Sequence, residues 1–396
     1  MINFKKKYEL WHILLYMSFF FCNFAAQNWR VYHIRLMNAK SDIVLTKQRN
    51  SNLEIFRILL MLSIVAHHYV VNSGLLDIIA EPPYTWKHYF MYIFGMWGKI
   101  GINCFVLITG YYMCRSDITI RKFLKLLFEI LFYNAVIYIA FSIGGYELFS
   151  LGGFCSAINP IKSISRDFVS CFLIYYLFIP FLNILVDNLT QKQHGYLVFL
   201  CVSFFVIMDH FPGIEYRFNY VGWFCILHII ASYLRLYLSG SPLFKHEVAC
   251  IITGAGIAVV SVVGQCMLIE QGWHVGWQYK WVADCNAFVG LLSSVMMFIG
   301  FKNLQMKNYN WINTIASSTF AVLLIHANSD IMRKWLWQDV CHNVDWIYSP
   351  YMPLHAIGCV LAIFIACVLI DKVRMSLIEK PTFKIIDKYL LNYGIK

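Results

Sequence analysis

The chain has 396 residues, of which 60% are hydrophobic and 13% charged, with a mean hydropathy of +0.61. Soluble domains carry about 25% charged residues, so this sequence cannot cover a normal wet surface, and its continuous apolar runs exclude the short alternating segments of a transmembrane barrel. The formal net charge of +11 points to nucleic acid only if it is clustered for that purpose, and its placement in loops gives it a different cause. The fold class that follows is all-α: a polytopic membrane protein with about ten transmembrane helices.

Lys5, Lys6 and Lys7 precede an apolar run from Leu10 to Ala26, the order of the first two regions of a signal peptide. Cleavage after this run, or its use as an extra span, would put the next segment outside, against the charge distribution described below. Residues 1–50 are therefore read as an N-terminal extension that is not part of the mature fold, with Met37 as an alternative beginning. An amphipathic surface segment is the second reading. Residues 51–396 read as a single membrane-bound domain. Spans are expected at about 53–73, 88–112, 122–143, 168–186, 196–209, 219–238, 248–268, 282–300, 315–328 and 351–370, from runs near the roughly 20 residues that cross a bilayer.

With the segment before the first span inside, that segment holds Lys40, Lys47 and Arg49, the inner loops hold Arg115, Arg121, Lys122, Lys125, Lys192, Arg235, Lys245, Lys302 and Lys307, and the C-terminal segment adds Lys372, Arg374, Lys380, Lys384, Lys388 and Lys396. The opposite side holds only Lys87, Lys162, Arg166, Arg217, Lys280, Arg333 and Lys334. This is the positive-inside asymmetry; it places both termini in the cytoplasm and the protein in the cell membrane, and accounts for the charge without nucleic acid. The thirteen cysteines lie mostly in apolar spans, with no C-x-x-C pair. They read as small buried hydrophobes, and no metal is expected.

Ionisable groups inside spans are costly and therefore functional candidates. The first span is densest, with Glu54, Arg57, His67 and His68. Eleven helical steps separate Arg57 from His68 and turn about 1,100°, within about 20° of three full turns, so both project from one face, about 16 Å apart along the axis. His67 is displaced from Arg57 by about 80°. Glu54 is placed for an i,i+3 ion pair with Arg57. The competing reading is that Arg57 and the histidines reach the two interfaces by snorkelling. Lys99 and Asn103 fall in the second span among glycines that permit close helix approach. Glu129 shares the third span with Tyr133 and Asn134, and a buried carboxylate needs a cationic or protonated partner. His228 reads as an interhelical hydrogen-bond partner. His326 ends the ninth span and forms an H-x-x-x-D pattern with Asp330.

Three separated stretches resemble acyltransferase family 3, the integral-membrane O-acyltransferases that include O-antigen and Nod-factor acetylases. Asn52-Leu-Glu-Ile-Phe-Arg57 through His68 is similar to the family's arginine, ten residues, histidine element. Gly101-Ile-Asn-Cys-Phe-Val-Leu-Ile-Thr-Gly-Tyr-Tyr112 is similar to its Phe-Phe-x-Ile-Ser-Gly-Tyr segment. Asn313 to His326 is similar to its late Ser-Phe-x-Val-Tyr-Leu-Ile-His signature. Weaker echoes are Ile179-Pro-Phe-Leu-Asn183 and Phe301-Lys-Asn-Leu304.

The resemblance implies ten core helices, an acyl-CoA donor (commonly acetyl-CoA) on the cytoplasmic side, and a carbohydrate or lipid-linked glycan acceptor, and carries a functional arginine onto Arg57 and a functional histidine onto His68. The site expected is thus His68 with Arg57 and Glu54, lined by His326, Glu129, Lys99 and Asn103, with Arg57, Arg121, Lys122 and Lys125 against the donor's phosphates. The sequence departs from the family where paired arginines are usual, having Arg121, Lys122 and Lys125, and in Ala321 and Leu323 where relatives often carry glycine and tyrosine. A lysine binds phosphate as a point charge without arginine's bidentate fork. A secondary transporter or glycan exporter is the competing class, since it also combines many helices with buried ionisable groups; against it, no paired inverted halves are visible.

Overall fold

Every backbone polar group in hydrocarbon must be paired within the protein, and the chain meets this with helices. The computed structural model describes residues 51–162, 167–208, 219–238 and 246–392, so the N-terminal extension read over 1–50 lies outside the described residues. No strand occurs among the described residues. The long elements are α1 (Ser51–Val71), α2 (Trp86–Gly95), α3 (Gly98–Met113), α4 (Ile120–Ile143), α5 (Phe168–Asp187), α6 (Gln191–Val202), α7 (Tyr220–Tyr237), α8 (Glu247–Glu270), α9 (Phe288–Asn303), the bent succession α10 (Asn310–Ala316), α11 (Thr319–His326) and α12 (Asp330–Lys334), then α13 (Met352–Arg374) and α14 (Lys380–Asn392).

Among the described residues, seven helical stretches are long and apolar enough to cross a membrane, or eight if the bent stretch from Asn310 to Val340 is one span. The expected count of about ten is therefore approximate. The difference has local causes. The fifth expected span is the short α6 running into a π-helical turn at Ser203–Ile207. The eighth begins only at Phe288, because the residues before it form turns in which Asn286 donates to the Phe205 carbonyl at 2.9 Å. The ninth is broken, its two parts bent by 96°.

Each interruption frees backbone carbonyls, and side chains from other helices take them. Where α2 stops before α3, the Tyr279 hydroxyl donates to the Tyr92 carbonyl at 3.0 Å and His67 Nδ1 to the Gly95 carbonyl at 2.5 Å. The last carbonyls of α9 have no intrahelical donor; Asn52 Nδ2 at the start of α1 reaches Phe301, Lys302 and Leu304 oxygens at 2.9–3.0 Å. His228 is an interhelical partner as expected: its Nε2 meets Asn183 Oδ1 at 3.0 Å and its Nδ1 the Tyr175 hydroxyl at 2.9 Å.

One face of α4 is a polar ladder with a four-residue step, the spacing that stacks side chains along a helix. Arg121 grips Asp387 of α14 with two bonds at 2.6 and 3.0 Å, and Lys125 pairs with Glu379 at 2.7 Å. Glu129 meets Arg374 at 3.5 Å, and the Tyr133 hydroxyl donates to Asp371 at 2.8 Å. Arg374 is the hub, buried and also bonded to Asp371 at 2.8 Å and Glu379 at 2.7 Å. In the sequence it counts as an inner-loop charge; in the fold it is a core residue.

Removing a buried hub should leave carboxylates without compensation. Arg374→Met is expected to cost roughly 3–5 kcal/mol, whereas Arg121→Met, on an exposed pair, should cost under about 1 kcal/mol. Unfolding of both variants in the same detergent checks this; equal losses would contradict the distinction.

Candidate functional site

A cavity of about 1290 Å³ lies among α1, α3, α4, α5 and the bent stretch, and its lining includes Arg57, His67, His68, Lys99, Tyr220 and Asn328. Residues from both ends of α4 contribute, Lys122 and Lys125 near its start and Ile137 and Phe141 near its finish. Polar walls in such a helical bundle are what functional pathways require and lipid contacts forbid.

α1 is unbroken from Ser51 to Val71, so Arg57 and His68 stand on it as the sequence spacing requires, about 16 Å apart in rise. Both line the cavity. Arg57 is held by Glu54 at 3.2 and 3.4 Å, and its guanidinium lies 5.9 Å from the Tyr112 ring centroid. Glu54 is itself buried and stands behind the arginine, outside the cavity lining.

His68 Nδ1 lies 2.9 Å from His326 Nε2, and His326 Nδ1 lies 2.6 Å from the Val322 carbonyl. A carbonyl can only accept, so His326 Nδ1 carries a proton. In neutral His326 the Nε2 is then an acceptor, and His68 Nδ1 must be the donor. The remaining ring nitrogen of His68, Nε2, therefore holds a lone pair, on a side chain that faces the cavity. One backbone carbonyl fixes the tautomers of two imidazoles in series. Such a lone pair can take a proton from a hydroxyl.

The H-x-x-x-D pattern does not form a His–Asp pair. Asp330 is exposed and bonds Arg333, while His326 is fully buried on the other side of the turn. Asn103 and His326, both expected to line the cavity, lie outside its lining; Asn103 accepts from Trp223 Nε1 at 2.9 Å and donates to the Cys285 carbonyl at 2.7 Å, bracing α3 against α7. Lys99 does line the cavity and donates to the Tyr220 hydroxyl at 2.6 Å.

At the other end, Lys122 Nζ contacts the Asp117 carbonyl at 2.6 Å and Ser116 Oγ at 3.3 Å, and it lines the cavity, as do Lys125 and Glu129. Arg121 is turned to Asp387 and does not line it. Sequence reasoning set His67 aside for its angle, yet it lines the cavity too, next to Gly98, where an added Cβ would sit 2.3 Å from the imidazole. It also missed Asn328, which donates to Asn134 Oδ1 at 3.0 Å, and Arg374. The close spacing of Asp371, Arg374 and Glu379 was a legible hint for the latter.

The sequence matches the family described as "Acyltransferase domain" over residues 50–371. The chain belongs to this acyltransferase family. Searches of curated proteins and of solved structures returned no match. With its apolar helices, the protein is a membrane acyltransferase.

The close fit of Gly98 against His67 gives a steric test. Gly98→Val should displace the ring and lower acyl transfer by about 10- to 100-fold, the scale of an ångström of misplacement. Gly256→Ala meets nothing within 4 Å and should be neutral. Transfer assays on both, at matched membrane levels, would contradict the fit if Gly98→Val kept parental activity.

Proposed function

We propose that the protein is an O-acyltransferase of the cell membrane, both termini cytoplasmic, that moves an acetyl group from acetyl-CoA to a hydroxyl of a cell-surface polysaccharide or lipid-linked glycan. The observation that carries this reading is the lone pair that the Val322–His326–His68 series leaves on His68 Nε2, at the far end of a cavity shared with Arg57.

A sugar hydroxyl is a poor nucleophile at neutral pH. His68 Nε2 takes its proton as the oxygen attacks the thioester carbonyl. The imidazolium so formed keeps its Nδ1–H bond to His326 Nε2, a charge-assisted bond that strengthens at that moment. When the carbon–sulfur bond breaks, the same proton passes to the departing sulfur, so one histidine serves both halves of the exchange. Direct acylation of Nε2, followed by transfer to the sugar, uses the same lone pair.

The donor's phosphates are placed at the basic end. Arg57, oriented by Glu54, offers a fork that matches phosphate, and Lys122 supplies further charge, whereas Lys125 is held by Glu379. Arg121 is committed to Asp387 and acts there as an outer tether. The flexible arm of the donor runs along α1 from Arg57 towards His68. The acyl group then crosses much of the bilayer while the nucleotide stays at the entrance.

A transporter reading draws on the broken helices, which in transporters form midplane sites. The two classes part on a simple reaction: purified protein given acetyl-CoA releases free CoA only if it transfers the acyl group. The intact protein is expected to do so, and glycans from cells carrying it should be heavier by acetyl groups. His68→Ala should lower transfer by about 10²–10⁴-fold, the usual contribution of a positioned acid–base group. Arg57→Ala should raise the donor KM by about 10- to 100-fold through loss of a charged hydrogen bond. Parental rates in His68→Ala would remove it from the chemistry, and an unchanged donor titration in Arg57→Ala would remove the anchor.

A further inference from the structure

Lys99 occupies a position that electrostatics opposes twice. It is the second residue of α3, where the helix dipole presents its positive end and a cation is unfavourable. The first turn of α3 contains no acidic residue to offset it. It also stands within a membrane-embedded bundle, where an ammonium group is costly. Its close partner is neutral: the Tyr220 hydroxyl at 2.6 Å, with the ring centroid at 5.2 Å. Among the described residues no carboxylate forms an ion pair with it, and the Asp284 carboxylate acts on its charge only from beyond contact.

The ammonium shares its cavity with the reacting histidine, His68, and with His67. The preceding Gly98 is pressed so tightly on the His67 ring that the start of α3 cannot draw back from α1 without opening that contact. A cation with no carboxylate in contact, in the cavity that holds the general base, is an electrostatic device whose contact partner arrives with the reaction.

We propose that the Lys99 ammonium is the oxyanion-stabilising group of the transfer centre. This inference rests on the reading of acyl transfer at His68. As the acceptor oxygen bonds to the thioester carbon, its proton moves to His68 Nε2 and the carbonyl electron pair moves onto the carbonyl oxygen. Lys99 receives that negative charge. On collapse the pair re-forms the carbonyl, the carbon–sulfur bond breaks, and the sulfur leaves with the proton from His68. No oxidant or further reactant is needed. Tyr220, which lines the same cavity, holds the ammonium in place and is a positioning residue.

The test uses the full chain in lipid nanodiscs with acetyl-CoA as probe, following release of free CoA with water as acceptor, a hydrolysis that passes through the same oxyanion. Lys99→Gln keeps a donor for Tyr220 but removes the charge; it should lower kcat by about 10²–10³-fold with the acetyl-CoA KM nearly unchanged. Lys99→Arg should recover part of the loss, and Tyr220→Phe, which leaves the ammonium, should lose at least about tenfold less than Lys99→Gln. A raised KM with kcat intact in Lys99→Gln would overturn the proposal by making Lys99 a donor anchor. Equal losses in Tyr220→Phe and Lys99→Gln would overturn it by making the interhelical bond the whole effect. His68→Ala run alongside separates the two levels. If it is inactive while Lys99→Gln is unaffected, only the oxyanion role falls; if it keeps the parental rate, the underlying reading falls first.

Discussion

Two imidazoles 2.9 Å apart tie α1 to α11 across 258 residues of sequence, and the chemistry assigned to the cavity depends on that bond. His326 is fully buried, with no water to turn to for a partner, so the bond is fixed by the fold rather than by solvent. The Val322 carbonyl sets the direction of donation for both rings. An aspartate could orient a base equally well in a wet site, but a second charge in this interior would carry a desolvation cost of several kcal/mol. A neutral histidine, ordered by a backbone oxygen, performs the orienting step without it.

The rest of the bundle follows the same constraint. Asn52 supplies donors to the end of α9, Asn183 and Tyr175 satisfy His228, and Tyr279 and His67 take the carbonyls exposed where α2 gives way to α3. On the opposite wall, three carboxylates converge on the guanidinium of Arg374. That cluster joins α4 to the C-terminal helices along a wall of the cavity. It helps explain why the basic residues after the second span are not all available to a ligand: the ladder uses Arg121 and Lys125 to hold its own structure.

Much of this was legible in the sequence because helix periodicity and in-span polarity act locally. The shared face of Arg57 and His68, the Glu54 pair, and helical character throughout required only one helix at a time. The separated motifs also meet in space: Asn52 bonds the backbone of the Phe301–Leu304 stretch, Phe56 stacks on Phe301 at 4.2 Å, Ser51 reaches Asn313, and His68 reaches His326. What could not be read was which partner each polar group finds across helices. Arg374 looked like an ordinary inner-loop charge, Asp330 looked like a partner for His326, and Asn103 looked as available as Lys99. Those outcomes are set by helix rotation and by breaks such as the one between α2 and α3, which swings His67 into use despite its angle. Sequence spacing fixes neither.

The most direct test of the central claim distinguishes the two nitrogens of one ring. His68 can be replaced by histidine methylated at Nε2 or, separately, at Nδ1, and transfer from acetyl-CoA measured for each full-length protein in membranes. Methylation at Nε2 removes the lone pair that takes the acceptor's proton and should abolish transfer. Methylation at Nδ1 breaks the bond to His326 but leaves that lone pair, and should slow transfer without ending it. Activity that survives Nε2 methylation would contradict the account.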